Sequence, residues 1–194
     1  GTKDEINVSE GKLIQRIGLD YSDVDNPTFT RNSVAYLSDG TQVAANQPRF
    51  EDGPFAGKKA IMIEERTTNL FPADKRLAFT SAWTSATLNG TYTVSIHGGT
   101  GKLVLSGGAT GEVVAGQSLT FSVSNATVTF TPVDGTPERC QLEQKGYATS
   151  FVDGTRAEET LTIPTTGVLN PQEGTVEFWW MPLSGLFNNN IGGD

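Results

Sequence analysis

Over residues 91–151, apolar and polar positions take turns along the chain. Tyr92, Val94 and Ile96 alternate with Thr91, Thr93 and Ser95, and Leu103 and Leu105 alternate with Lys102 and Val104. Leu119, Phe121 and Val123 alternate with Thr120, Ser122 and Ser124, and Val128 and Phe130 with Thr127, Thr129 and Thr131. A period of two is that of a strand with one buried face. Residues 98–101, Gly107-Gly108 and Asp134-Gly135 punctuate the runs where tight turns need glycine. The pattern predicts an all-β chain, an antiparallel β-sandwich of jelly-roll type, with its aliphatic side turned inward.

Upstream the pattern is less regular. Residues 33–37 and 60–63 are short strand candidates between turn signals at Asn26-Pro27, residues 38–40, Gln47-Pro48 and residues 52–54. The unbroken run Ala60, Ile61, Met62, Ile63 predicts burial on both faces. Residues 1–18 read as an arm or one short helix, because Leu13, Ile14 and Ile17 have helical spacing but Gly11 and Gly18 bracket them. The best helical signal lies in residues 69–80, with Pro72 at the first helical position, Asp74 in the first turn and Leu77 packing inward.

Residues 160–169 and 174–183 are further strand candidates. In the second, Val176, Phe178 and Trp180 share one face and Glu177, Trp179 and Met181 the other, so both faces call for a partner. Three units follow: an N-terminal arm and extended segment over 1–70 packing on the sandwich, the sandwich over 71–165, and a truncated second β domain over 166–194.

Composition narrows the chemistry. Twenty-two glycines and an apolar share of 36% suit short strands and turns better than long helices. Fourteen basic against 22 acidic residues give a net charge of −8, which repels phosphate backbones and disfavours a nucleic-acid partner. No apolar run approaches the roughly 18 residues of a membrane span, so no membrane partner is expected. Cys140 is the only cysteine, so no internal disulfide or cysteine zinc cluster is expected, which suits assembly in a reducing cytoplasm. His97 is the only histidine; ahead of Gly98-Gly99 it reads as a turn residue rather than a catalytic base.

Four blocks together resemble a known family. They are RNSVAYLSDGTQVAANQPRF, IMIEERTTNLFP, the strand pair YTVSIHGGTGKLVLSGG after a tryptophan, and CQLEQKGYATSFVDGTR. In this order they resemble a repeated module of bacteriophage and prophage virion proteins. There an arginine-led segment ending in Pro-Arg-Phe precedes an Ile-Glu-Glu…Thr-Asn-Leu motif and a jelly roll similar to carbohydrate-binding modules. Two departures stand out: Arg66 follows Glu65 directly, and one extra residue precedes Gly146. The closing GTVEFWWMPL looks like the first strand of a concanavalin-A or laminin-G-like domain.

The resemblance spans about residues 28–183. It implies a non-enzymatic module of a phage tail or tail fibre, assembled in the bacterial cytoplasm and resident in the virion. Its implied partners are host-surface polysaccharide, other virion proteins and further copies of itself. A purely structural spacer or oligomerisation unit is the alternative, and a polysaccharide depolymerase a third.

Sugar recognition on a sandwich needs aromatic platforms and planar polar readers. Trp83, Tyr92 and Tyr147 are the platform candidates, with Trp179 and Trp180 behind them; Arg139, Gln141, Glu143 and Gln144 are the candidate readers. Each has a plainer reading: Trp83 as a core plug, Gln141 and Glu143 as the outward polar side of an alternating strand. Asp20, Asp23 and Asp25 could offer oxygens to a structural calcium or simply be solvated turn acids. No other cofactor is expected. Glu64 and Glu65 are adjacent on an extended segment, so their carboxylates point apart and cannot act as a catalytic pair. With Arg66 they are expected to pin the N-terminal segment to the sandwich through ion pairs.

Overall fold

A computed structural model describes residues 5–8, 11–14, 27–52, 57, 59–164 and 172 of the chain. Its strands in chain order begin with β1 (Glu5–Val8), β2 (Gly11–Ile14), β3 (Thr28–Thr30), β4 (Ala35–Tyr36), β5 (Gln42–Val43), β6 (Arg49–Asp52), β7 (Lys59–Met62) and β8 (Thr67–Thr68). A single helical turn, α1 (Ala73–Arg76), precedes β9 (Trp83–Thr84), β10 (Leu88–Gly99), β11 (Lys102–Gly107), β12 (Gly111–Val114) and β13 (Ser118–Ala126). β14 (Val128–Val133), β15 (Pro137–Glu143), β16 (Thr155–Arg156) and β17 (Thr160–Thr162) complete the series.

The long alternating runs become two antiparallel sheets, a three-stranded one ordered β13-β10-β15 and a four-stranded one ordered β12-β11-β14-β9. Tyr92, Val94, Ile96, Phe121, Val123, Cys140 and Leu142 of the first sheet meet Leu103, Leu105, Val113, Val128 and Phe130 of the second in one core. The fold is therefore an all-β antiparallel sandwich, and among the described residues no barrel closes. Phe71 and Phe79 plug one end of the core, with Phe71 edge-on to Phe130 at 5.1 Å. Gly99 (φ 76°) is required at the β10–β11 hairpin, because a Cβ there would lie 2.3 Å from the Thr136 carbonyl.

Residues 27–69 pair not with the sheets' own strands but with the segment after β15. β3 pairs with β17 and β8 with β16, while β4–β5 and β6–β7 form their own ribbons. A strand pairing also replaces the helical option near the N-terminus: β1 and β2 pair with Glu5 opposite Ile14. Residues 33–37 shrink to β4, the strand expected over 60–63 is β7 shifted by one residue, and Ile63 is exposed rather than buried on both sides. The helix is one turn, with Pro72 as its N-cap and Asp74 in its first turn. Leu77 is exposed, and the buried side chain is instead Lys75, whose Nζ donates to Ser81 Oγ. So short a helix faces the core with one position only.

His97 is not a turn residue: β10 continues through it to Gly99. The candidate calcium ligands Asp20, Asp23 and Asp25 lie outside the described residues, as do Trp179, Trp180 and the strand expected over 174–183.

Candidate functional site

The polar side of β10 and β15 is where the sequence placed either a wet surface or a ligand surface. It is neither exposed nor open. Thr93, Ser95, Gln141 and Glu143 are all buried, with Gln141 at 0% and Glu143 at 1% exposure. The cover is the N-terminal segment together with the loop and ribbons after β15. The alternation of β15 was therefore legible, but its second face turned out to be a second interior.

Around Glu143 every acceptor is met. Its Oε1 accepts from Gln141 Nε2 at 2.8 Å and from the Thr149 amide at 2.8 Å. Its Oε2 accepts from the hydroxyls of Thr67 (2.6 Å) and Thr149 (2.9 Å). Gln141 Oε1 in turn accepts the Val152 amide at 2.7 Å. A buried carboxylate is tolerated only with such a complete set of donors.

Next to it lies a lattice of ion pairs. Arg49 spans Glu159 with Nε–Oε1 at 2.9 Å and Nη2–Oε2 at 2.6 Å, and its Nη2 also reaches Glu64 Oε2 at 2.6 Å. Arg31 Nη1 donates to Glu159 Oε1 at 2.9 Å, and Arg156 Nη1 lies 3.0 Å from Glu64 Oε2. Ser150 ties the lattice to the Glu143 group: its carbonyl accepts from Gln141 Nε2 at 3.4 Å, its amide donates to Glu64 Oε1, and its hydroxyl accepts from Arg156 and donates to Glu64. Arg31, Arg49 and Arg156 are fully enclosed, and Glu64 and Glu159 nearly so. With Glu143 this makes three buried cations and three buried anions.

The charges tune one another. Burial alone would raise the Glu64 carboxyl, but the Arg156 and Arg49 guanidiniums outweigh it and hold its pKa below the usual value. Arg49 suffers the opposite burial penalty, yet its bond to Glu159 and the charge of Glu64 keep it raised. In Arg156 desolvation wins, and its pKa is lowered despite Glu64. Glu64 and the adjoining ribbons thus pin the N-terminal segment, as expected. Glu65 does so on the surface through Lys145 Nζ and Tyr147 Oη, and Arg66 is exposed.

No family model, no curated protein and no solved structure matches this chain. The geometry must speak alone.

The six residues proposed for a ligand do not converge. Tyr92 is in the hydrophobic core, 5% exposed and stacked on Phe121 at 6.1 Å, so it is not a surface platform. Trp83 stacks on Phe130 at 5.9 Å and meets Phe71 edge-on, the plug role rather than an open ring. Gln141 and Glu143 have no exposed surface with which to touch a sugar unless their cover lifts. Arg139 is half-buried in a left-handed backbone (φ 48°), donating to the His97 carbonyl at 2.6 Å. Its guanidinium lies so close to Gly98 that a Cβ there would come within 2.5 Å of Nη2. Tyr147 alone presents a ring, 39% exposed, with Lys145 Nζ 5.7 Å from its centroid. The Glu65 hydrogen bond, reinforced by partial burial, pushes the Tyr147 phenol up to about 12.

Ser95 Oγ sits 3.0 Å from His97 Nε2, a spacing seen between nucleophile and base. Ser95 is buried, however, and desolvation with the nearby Arg139 charge pushes His97 down to about 4. The pair belongs to the polar interior.

Sequence reading missed Arg31, Arg49, Asn69, Thr149, Arg156 and Glu159. A signal was present: all but Glu159 stand inside the motif blocks quoted above. Asn69 shows what such a position does. Its Oδ1 accepts the amides of Leu142 (3.2 Å) and Phe71 (3.1 Å), and its Nδ2 donates to the carbonyls of Cys140 (2.8 Å) and Val152 (3.0 Å). One side-chain amide thereby does the work of a neighbouring strand along the edge of β15.

Proposed function

We propose that this chain is a non-enzymatic structural module of a phage tail appendage, a rigid sandwich that spaces or joins other parts of the virion. The observation that carries this reading is the enclosed Arg31–Arg49–Arg156 and Glu64–Glu143–Glu159 lattice, built from the motif residues and Glu159 just beyond them. Of these residues Glu143 alone, with its neighbour Gln141, was a candidate glycan reader in the sequence. Their placement favours a locking role, in which sequence-distant segments are held at one geometry. Carboxylates saturated by arginine and threonine donors also lack the free acid and base that polysaccharide cleavage needs.

A specific observation keeps weak glycan binding as the second reading. Tyr147, Lys145 and Glu65 form an exposed aromatic and charged rim, to which many copies could add avidity.

Antibody against the chain, applied to virions of the phage that encodes it, should label the tail; labelling confined to infected-cell lysate would sink the structural reading. Titration of host polysaccharide with the chain displayed on a multivalent carrier separates the two readings. Binding that Tyr147→Ala abolishes would establish the second, and absence of binding leaves the spacer.

A further inference from the structure

Three side chains of the polar interior form a reactive set as well as a satisfied one. Gln141 and Glu143 project from one face of β15, as residues two apart on a strand do. The loop after β15 brings Thr149 back to that face, its amide donating to Glu143 Oε1 at 2.8 Å. Gln141, Glu143 and Thr149 are 0%, 1% and 3% exposed.

The atoms stand in the order that an acyl transfer needs. Thr149 Oγ1, an alcohol nucleophile, lies 3.0 Å from Gln141 Nε2 and donates to Glu143 Oε2 at 2.9 Å. Gln141 Nε2 donates to Glu143 Oε1 at 2.8 Å. One carboxylate thus touches the nucleophile with one oxygen and the nitrogen that would leave with the other. Gln141 Oε1 accepts the Val152 amide at 2.7 Å, which places a donor where an oxyanion would form. The Glu143 acceptor and the Val152 donor together fix which end of the carboxamide is nitrogen. Thr67 Oγ1 donates to Glu143 Oε2 at 2.6 Å and holds the carboxylate in place.

We propose that Thr149 and Gln141 join spontaneously in an intramolecular ester. Glu143 takes the hydroxyl proton as Thr149 Oγ1 bonds to Gln141 Cδ, the atom one bond from Nε2. The Val152 amide stabilises the tetrahedral oxygen. The Cδ–Nε2 bond then breaks, and the nitrogen leaves as ammonia with the proton that Glu143 returns. The step consumes only the chain itself, and the carboxylate ends as it began. Enclosure holds the partners together and keeps out the water that would hydrolyse the ester. Each chain reacts once, so a slow rate suffices. The ester rests on this geometry and not on the virion reading, and it adds a covalent tie beside the ion pairs.

Intact-mass spectrometry of the chain, denatured after incubation at neutral pH, tests it. The expected mass falls short of the sequence by one ammonia. Trypsin cuts after Arg139, Lys145 and Arg156, so CQLEQK and GYATSFVDGTR should emerge joined, and hydroxylamine should separate them. The joining distinguishes the ester from ammonia loss at Asn89-Gly90. Thr149→Val should abolish the joined pair, and Thr149→Ser should keep it. Glu143→Gln should slow its formation by roughly a hundredfold or more, which a purely structural carboxylate would not do. Circular dichroism shows whether each variant folds; should Glu143→Gln not fold, the two Thr149 variants decide. A wild-type chain of full mass with the peptides separate overturns the proposal. So does a joined pair that survives Thr149→Val or that Thr149→Ser loses, or undiminished joining in folded Glu143→Gln.

Discussion

Arg49 and Glu159, 110 residues apart in sequence, face each other through two parallel hydrogen bonds in a solvent-free interior. Planar guanidinium and planar carboxylate match in this fork, so the pair fixes orientation as well as distance. The N-terminal segment and the ribbon ending the described chain are thereby fastened at one point.

Removing one member leaves the other buried and uncompensated. Glu159→Gln should lower unfolding free energy by about 3–5 kcal/mol, read from urea denaturation. Arg49→Lys should cost nearly as much, since an ammonium cannot reach both oxygens of Glu159 and also Glu64. A loss below about 1 kcal/mol for both would show the lattice to be energetically idle.

Asn69→Ala strips four hydrogen bonds, two of them on the edge of β15, without touching a charge. The expected loss is about 3 kcal/mol, because the orphaned Leu142 amide and Cys140 carbonyl stay enclosed. Hydrogen exchange should quicken at Leu142 specifically. Uniform acceleration over both sheets would contradict a local edge-capping role.

Acid should loosen the chain in two stages. His97 titrates near 4 when folded against about 6.5 when unfolded. The unfolded chain therefore binds the proton first, and the stability present above pH 6.5 is lost as pH falls from 6.5 towards 4. Glu64, lowered in the fold, adds a loss that begins below its ordinary value of 4.5 and continues through its folded pKa. Melting temperatures across this range should fall, and His97→Gln should flatten the upper part of the curve. If that variant keeps the wild-type slope above pH 4.5, the histidine plays no part.

Cys140 is fully buried, and desolvation followed by the Glu138 charge pushes its thiol up to about 12. A chromogenic disulfide reagent at pH 8 should find no reactive thiol in the native protein and one after denaturation. Prompt reaction of the native chain would mean that this part of the core opens readily.

Trp83→Ala should destabilise by about 3 kcal/mol by opening a hole between Phe71 and Phe130. Denaturant midpoints check this. A variant of unchanged stability would return Trp83 to the candidate ligand contacts.

The sequence was legible where a single periodicity governed. The alternation of Tyr92, Val94 and Ile96 names the core face of β10, and the neighbouring runs did the same for β11, β13 and β14. β12 escaped notice because Gly111 and Glu112 hide its only core residue, Val113. Leu77 misled, because in a one-turn helix spacing says little about which side is inward.

The candidate site was harder, for a physical reason. A polar residue opposite an apolar one on a strand looks the same whether water or another protein segment covers it. Gln141 and Glu143 carried the pattern of a wet face, and only the donors of Thr67, Thr149 and Val152 turned that face into an interior.

By itself the sequence determined the all-β class, the inward side of the long strands and the structural use of Glu64, since these depend on local spacing and on residues pointing apart. Tertiary structure alone decided that Arg31, Arg49, Arg156 and Glu159 meet, and that Asn69 caps β15. Those outcomes rest on contacts such as Asn69–Cys140, 71 residues apart, and Arg31–Glu159, 128 residues apart, where burial and charge pairing act between segments whose proximity no local pattern encodes.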